Sequence, residues 1–191
     1  MNFFNRQGWG RTLLLAGVAV VSAVCWLGCG DDNPADNNGG GDSYDFVEIG
    51  GLKWMTKNMN IAIGKSWCYG NDNSNCDRYG RLYDWNTARG VCPSGWYLPN
   101  SDDMSGLSRS LNEDGDVDAA ASLAFCQLGS GYRDYNGNFI SVSDDDLVWW
   151  VNYADGAGFA YVSGRYSIIY DKDDDGNRLG YGFSVRCVSN L

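Results

Sequence analysis

The chain has 191 residues, with 24 acidic and 14 basic side chains, no histidine and a formal charge of −10. That length leaves one domain's worth of sequence once a leader is set aside. The acidic balance argues against nucleic acid as a partner, since phosphate backbones would repel it. Lack of histidine removes the commonest general base and the commonest transition-metal ligand.

The first segment carries Arg6 and Arg11 without an acidic residue, then an apolar run from Thr12 to Leu27 broken mainly by Ser22. A basic stretch leading into an apolar one is the pattern of a signal peptide, here residues 1–28. The run falls short of the roughly 20 residues of a spanning helix, and an uncleaved anchor is the alternative. Leu27-Gly28-Cys29, followed at once by Gly30, Asp31, Asp32, Asn33 and Pro34, resembles the lipobox of bacterial lipoproteins. The resemblance implies lipidation at Cys29 and a membrane partner held by several acyl chains rather than one. Export to the outer membrane or cell surface is the expectation. Residues 30–43 contain Asp, Asn, Gly and Pro without a large apolar side chain, so they read as a flexible acidic tether. Removing 1–28 takes away two positive charges and no negative ones, which turns −10 into −12.

Within 44–191 the pattern predicts one α+β domain, with short helices in the middle and strands at both ends. Phe46-Val47-Ile49 and Leu52-Trp54-Met55 flank Gly50-Gly51, a hairpin signal. Tyr79 to Ala88 suits one or two turns of helix packed by Tyr83 and Trp85. Ser101 is a candidate N-cap, with Asp102 and Asp103 in the first turn and Met104, Leu107 and Leu111 at helical spacing. A second helix is expected from Val117 to Gln127, ending at Gly129. Short strands follow at Phe139-Ile140, Leu147 to Val151, Phe159 to Val162, Tyr166 to Tyr170 and Gly182 to Val188. Export makes disulfides plausible. Five cysteines remain beyond Cys29, namely Cys68, Cys76, Cys92, Cys126 and Cys187, enough for two bridges and one spare thiol, and the residues alone leave the pairing open.

Several segments resemble, in order, the Fibrobacter succinogenes major paralogous domain, or FISUMP. They are Ile49-Gly50-Gly51-Leu52-Lys53-Trp54-Met55, Cys68-Tyr69 with Cys76, Tyr79-Gly80-Arg81-Leu82-Tyr83-Asp84-Trp85, Cys92-Pro93-Ser94-Gly95-Trp96-Tyr97-Leu98-Pro99, Gly131-Tyr132-Arg133-Asp134, Trp149-Trp150 and Gly182-Phe183-Ser184-Val185-Arg186-Cys187-Val188. With locality, the resemblance implies bridges Cys68–Cys76 and Cys92–Cys187 and leaves Cys126 a buried thiol. Gly95-Trp96-Tyr97-Leu98-Pro99 and Arg186-Cys187-Val188 are also similar, more distantly, to C-type lectin-like and formylglycine-generating folds. That likeness implies a disulfide-braced mixed domain with its two ends close together. The Glu or Gln, Pro, Asp or Asn triplet of calcium-dependent lectins does not appear after Pro99. The copper-binding cysteine pair of the formylglycine enzymes would need a neighbour for Cys187, and none lies near it in sequence.

No cofactor is expected, and calcium is the alternative that the acidic runs raise: Asp171, Asp173 and Asp175 alternate before Gly176, as hard oxygen ligands do in a calcium loop. The closing position holds Gly182 in place of a bidentate Glu, and a solvated turn is the preferred reading. Asn112, Asp114, Asp116 and Asp118, and the run Asp144-Asp145-Asp146, read as charged turns in the same way. A ligand-binding surface is expected among aromatics, with Trp149, Trp150, Tyr153 and Tyr166 as first choices and Tyr132, Tyr135, Tyr161 and Tyr170 as further ones. On a strand, Trp149 and Trp150 would face opposite ways, so at most one should belong to the core. The function expected is a non-catalytic binding or adhesion module for polysaccharide or another envelope protein. A purely structural envelope component is the alternative, and an enzyme is the third reading.

Overall fold

The computed structural model describes residues 44–112, 131–142, 146–163, 167–173 and 178–191. All belong to one compact unit, Pro34–Leu191. The expected helix at 117–127, Cys126, Asp114, Asp116, Asp118, Asp144, Asp145 and residues 1–43, with Cys29, lie outside those described. The class is α+β.

The opening hairpin forms as the two glycines require. Strands β1 (Phe46–Ile49) and β2 (Leu52–Met55) pair antiparallel with Ile49 opposite Leu52. Gly50 and Gly51 have φ of 61° and 80°, the pair of left-handed residues a tight two-residue turn needs. The last strand, β11 (Val188–Asn190), adds to the other side of β2, so the first and last strands of the domain share one three-stranded sheet.

A second sheet has six strands in the order β3, β4, β10, β7, β8, β9, with β3 at Ser66–Trp67, β4 at Leu82–Tyr83, β7 at Leu147–Tyr153, β8 at Gly156–Ser163, β9 at Ser167–Lys172 and β10 at Phe183–Ser184. Its pairs are antiparallel except β10 with β7, which run parallel. The strand expected over 182–188 is therefore divided. Phe183–Ser184 completes the large sheet, residues 185–187 cross over, and Val188 begins the small one. A third, two-stranded sheet joins β5 (Tyr132–Arg133) to β6 (Phe139–Ile140).

The helix expected over 79–88 also divides. Helix α1 (Asn73–Tyr79) stops at Gly80, β4 intervenes, and α2 (Trp85–Ala88) follows. Each start is set by an aspartate: Asp72 accepts from the Ser74 N–H and hydroxyl, and Asp84 from the Thr87 N–H at 2.9 Å. Helix α3 spans Ser101–Asn112, yet its cap is Asn100 rather than Ser101. Asn100 Oδ1 accepts from the N–H groups of Asp102 and Asp103, and Asp103 Oδ2 accepts from the Asn100 N–H at 2.8 Å. This reciprocal box satisfies donors that a first turn otherwise leaves open.

Both faces of the large sheet are covered. On one, Leu147, Trp149, Val151, Ala160 and Val162 pack against Met104, Leu107 and Leu111 of α3 and against Ile49, Trp54 and Val188 of the small sheet. On the other, Val148, Trp150 and Ala157 pack against Tyr83, Trp85, Ala88, Leu98, Phe183 and Val185. Two disulfides brace the unit. Cys68–Cys76 closes the excursion between β3 and β4, and Cys92–Cys187 ties the turn before Trp96 to the segment entering β11.

Between the two sheets lies a buried polar hub. Arg186, 1% exposed, donates through Nε to Asn58 Oδ1 at 2.9 Å and sits 4.9 Å from the Trp149 ring centroid. Asn58 Oδ1 also accepts from Trp149 Nε1 at 3.2 Å, while its amide donates to the Tyr79 carbonyl at 2.9 Å. Burial pulls the Arg186 guanidinium down to about 9, still above neutral pH, so the hub holds a positive charge whose polar contacts must be kept.

Candidate functional site

Hairpin β5–β6 presents an aromatic group on the second face of the large sheet. Its turn is shaped by Asp134, whose carboxylate accepts from the Asn138 backbone N–H at 2.8 Å and side-chain amide at 2.9 Å. These bonds hold the Asp134 carboxyl below its ordinary range. Tyr135 follows at the turn and is 65% exposed, the most open aromatic ring among those described. The hairpin docks on β10 through a reciprocal pair, the Arg133 N–H to the Gly182 carbonyl at 2.9 Å and the Gly182 N–H to the Arg133 carbonyl at 2.7 Å. Beneath it the Arg133 guanidinium lies 4.3 Å from the Trp67 ring centroid, and Tyr69 meets Phe139 edge-on at 5.4 Å.

Tyr181 is the centre of the group. Its ring stacks with Tyr132 at 6.1 Å and 27°, and meets Tyr135 at 5.8 Å and Phe183 at 5.7 Å. Phe183 continues the packing inward to Trp150 at 4.6 Å, so the open rings rest on rigid core rings. Phe159 and Tyr161 extend the same side of β8, with the Arg178 guanidinium 4.6 Å from the Phe159 centroid. Tyr161 donates to the buried Asp146 at 2.5 Å, and that bond is the main cause of its raised pKa. Tyr181 is also raised, first by burial and then by Tyr132, Tyr135 and Asp134 around it. These phenols stay protonated at neutral pH, leaving flat rings bordered by hydroxyls. Such a face can stack on a sugar ring or another apolar plane while hydrogen-bonding at its rim.

The aromatic residues first chosen from the sequence take other places. Trp149 and Trp150 are both 0% exposed, because the large sheet is covered on both faces and each tryptophan fills a different core. The expectation that only one would be core, and that either could meet a ligand, is corrected. Tyr153 is half-buried against the first core, away from the Tyr181 group. Tyr166 lies outside the described residues, as does the side chain of Tyr170. Tyr132 and Tyr135 do come together, with Tyr161 on the side of Tyr132, and the ring that joins the first two, Tyr181, was missed. A signal for it existed in Gly180-Tyr181-Gly182-Phe183, where glycines leave room around alternating rings.

The calcium reading fares differently at each residue. Asp173 is buried, its Oδ2 accepting from the Arg178 N–H at 2.8 Å and its Oδ1 lying 3.7 Å from the Arg178 guanidinium. Its carboxylate is thus engaged by Arg178, an arrangement that speaks for a structural role at this position. Asp175 and the side chain of Asp171 lie outside the described residues. Among the described residues no three acidic, cysteine or histidine side chains gather as a metal site. No described helix is long and apolar enough to cross a membrane.

Residues 47–122 match the model of the family described as the Fibrobacter succinogenes major domain. Over that stretch the chain is similar to the Fibrobacter succinogenes major domain. No curated protein and no solved structure matches it. The matched stretch holds most of β1, the elements from β2 to α3, the Cys68–Cys76 bond and one half of the Cys92–Cys187 bond. The Tyr132–Tyr135–Tyr181 face lies beyond that stretch, on strands laid against it.

Proposed function

We propose that the protein is an exported, lipid-anchored, non-catalytic binding module whose Tyr132–Tyr135–Tyr181 face engages polysaccharide. The observation that carries this reading is Tyr135, an open ring beside Tyr181 and Tyr132, supported from below by Phe183 and Trp150. Strong negative charge favours an uncharged glycan over an acidic one. Export is supported by the leader, by the Leu27-Gly28-Cys29 sequence and by two disulfides. A C-type lectin-like arrangement is part of the proposal, supported by the first and last strands sharing a sheet.

The test is retention of the full-length protein, in detergent, on insoluble neutral polysaccharides. Tyr135→Ala and Tyr181→Ala should each weaken retention roughly 3- to 10-fold, the worth of about 0.5–1.5 kcal/mol per stacked ring. Retention that ignores both substitutions would refute the site. Retention on no polysaccharide and on no envelope fraction would favour the structural alternative.

A further inference from the structure

A second aromatic group lies where the chain enters the domain. Tyr44 meets Trp96 edge-on at 6.0 Å, and Phe46, 43% exposed on the outer strand β1, lies 6.3 Å from the same indole. Lys53 sits over Phe46, its Nζ 5.0 Å from the ring centroid. Trp96 follows the exposed Ser94-Gly95 turn, which is closed by the Trp96 N–H to Pro93 carbonyl bond at 2.9 Å and pinned next door by Cys92–Cys187. The face of β1–β2 that holds Ile49 and Trp54 belongs to the first core; on the other, Tyr44 and Trp96 are half-buried at the margin of the second core beside Met55, and Phe46 is the exposed ring of the group.

We propose that the Tyr44–Phe46–Trp96 group docks the domain against the uncharged, zwitterionic lipid surface that holds the chain's own anchor. The inference rests on the reading that the chain is membrane-anchored, and three observations carry it further. The first is position. Residues 30–43, at roughly 3.5 Å each, reach at most about 50 Å even when drawn straight, and they end at Tyr44. Tyr44 is therefore the point at which the domain would be tied to the bilayer, and its surroundings would meet the lipid at high effective concentration.

The second is chemistry. Tryptophan and tyrosine favour the lipid headgroup level, where the ring is shielded and the polar atom stays wet. Lys53 can lay its stem along Phe46 and extend its ammonium toward phosphates. The third is charge. Beyond residue 28 the protein carries −12, whereas Lys53 and the exposed Lys57 here stand against two carboxylates, Asp45 and Glu48. Across residues 44–57 the formal balance is neutral within an acidic protein, so this part of the surface sets no excess of carboxylates against lipid phosphates. The polysaccharide face is built from different residues, so one contact does not use up the other.

The experiment uses the full chain reconstituted into phosphatidylcholine and phosphatidylethanolamine vesicles, with and without bromine on the upper acyl chain. Brominated lipid should quench part of the tryptophan emission. That part should be lost in Trp96→Phe, and lost also in Phe46→Ser, which keeps the Trp96 reporter but removes its neighbour. Thermal melts of both variants confirm that they remain folded. A chain that co-floats with vesicles yet shows the same quenching in wild type and Trp96→Phe overturns docking while leaving anchorage intact. A chain that does not co-float overturns both. Equal quenching of wild type and Phe46→Ser, with loss only in Trp96→Phe, would place Trp96 near lipid without the proposed face and also count against it.

Discussion

Replacing Asn58 by alanine tests whether the buried hub holds the two sheets together. Asn58 Oδ1 accepts from Arg186 Nε at 2.9 Å and Trp149 Nε1 at 3.2 Å, and its amide donates to Tyr79 at 2.9 Å. Taking an acceptor from a buried charged donor costs about 1.5–3 kcal/mol, and each neutral bond adds about 0.5–1.5 kcal/mol. Allowing for overlap, Asn58→Ala should lose about 3–5 kcal/mol, a large part of the 5–15 kcal/mol typical of a whole domain. Arg186→Met, which removes the charge and keeps an apolar stem of similar length, should cost less, about 2 kcal/mol or under. In the Arg186→Met background Asn58→Ala should then be milder by at least about 1 kcal/mol. Urea unfolding followed by tryptophan fluorescence, with m-values compared to confirm two-state behaviour, gives all four corners of the cycle. A loss near zero for Asn58→Ala, or strict additivity, would refute the hub.

Loop length separates the two disulfides. Removing Cys92–Cys187, which spans 95 residues, should cost about 4–5 kcal/mol, whereas removing Cys68–Cys76, which spans 8, should cost about 2–3 kcal/mol in the chain-entropy model; midpoints of denaturant unfolding that rank the other way would contradict it. Tyr161, held protonated chiefly by its bond to Asp146, should titrate above its ordinary 10.0, and Asp146→Asn should bring it back down. Because the folded state binds this proton more tightly than the unfolded chain, the stability tied to it is complete below about pH 10 and is lost as pH rises through the raised value; tyrosinate absorbance and thermal melts across the alkaline range follow both. Gly131, at φ 104°, would place an added Cβ 2.0 Å from the Ile140 carbonyl oxygen. Gly131→Ala should therefore spring hairpin β5–β6 and lower polysaccharide retention along with Tyr135→Ala, whereas hydrogen exchange in α3 should stay unchanged.

Much of the framework was legible because local signals were strong. Gly50-Gly51 announced a hairpin, and Met104, Leu107 and Leu111 marked the buried stripe of α3. The binding face was harder to read, and the reason is topological. A strand as apolar as Leu147 to Val151 gives no alternation to tell a face open to water from one covered on both sides. Nothing near Trp149 and Trp150 in sequence says that α3 will cover one and Trp85 with Phe183 the other. Tyr181 gains its neighbours only when a two-residue strand inserts between β4 and β7, a pairing that depends on contacts far apart in the chain. Asp173 was opaque for a related reason: alternate aspartates look alike in sequence, and only the fold brings Arg178, five positions on, to this carboxylate.

The Cys92–Cys187 bond also decides how the protein would bear tension. If a membrane pulls at Tyr44 while a bound polymer pulls at Tyr181, stress entering from the N-terminal side reaches Cys92, crosses the sulfur bridge to Cys187 and passes directly to β10. Residues 93–180, which include α3 and the long strands β7 and β8, are bypassed. A tug would peel the small sheet first and leave the scaffold beneath the aromatic rings in place, so grip could outlast partial unravelling near the attachment point.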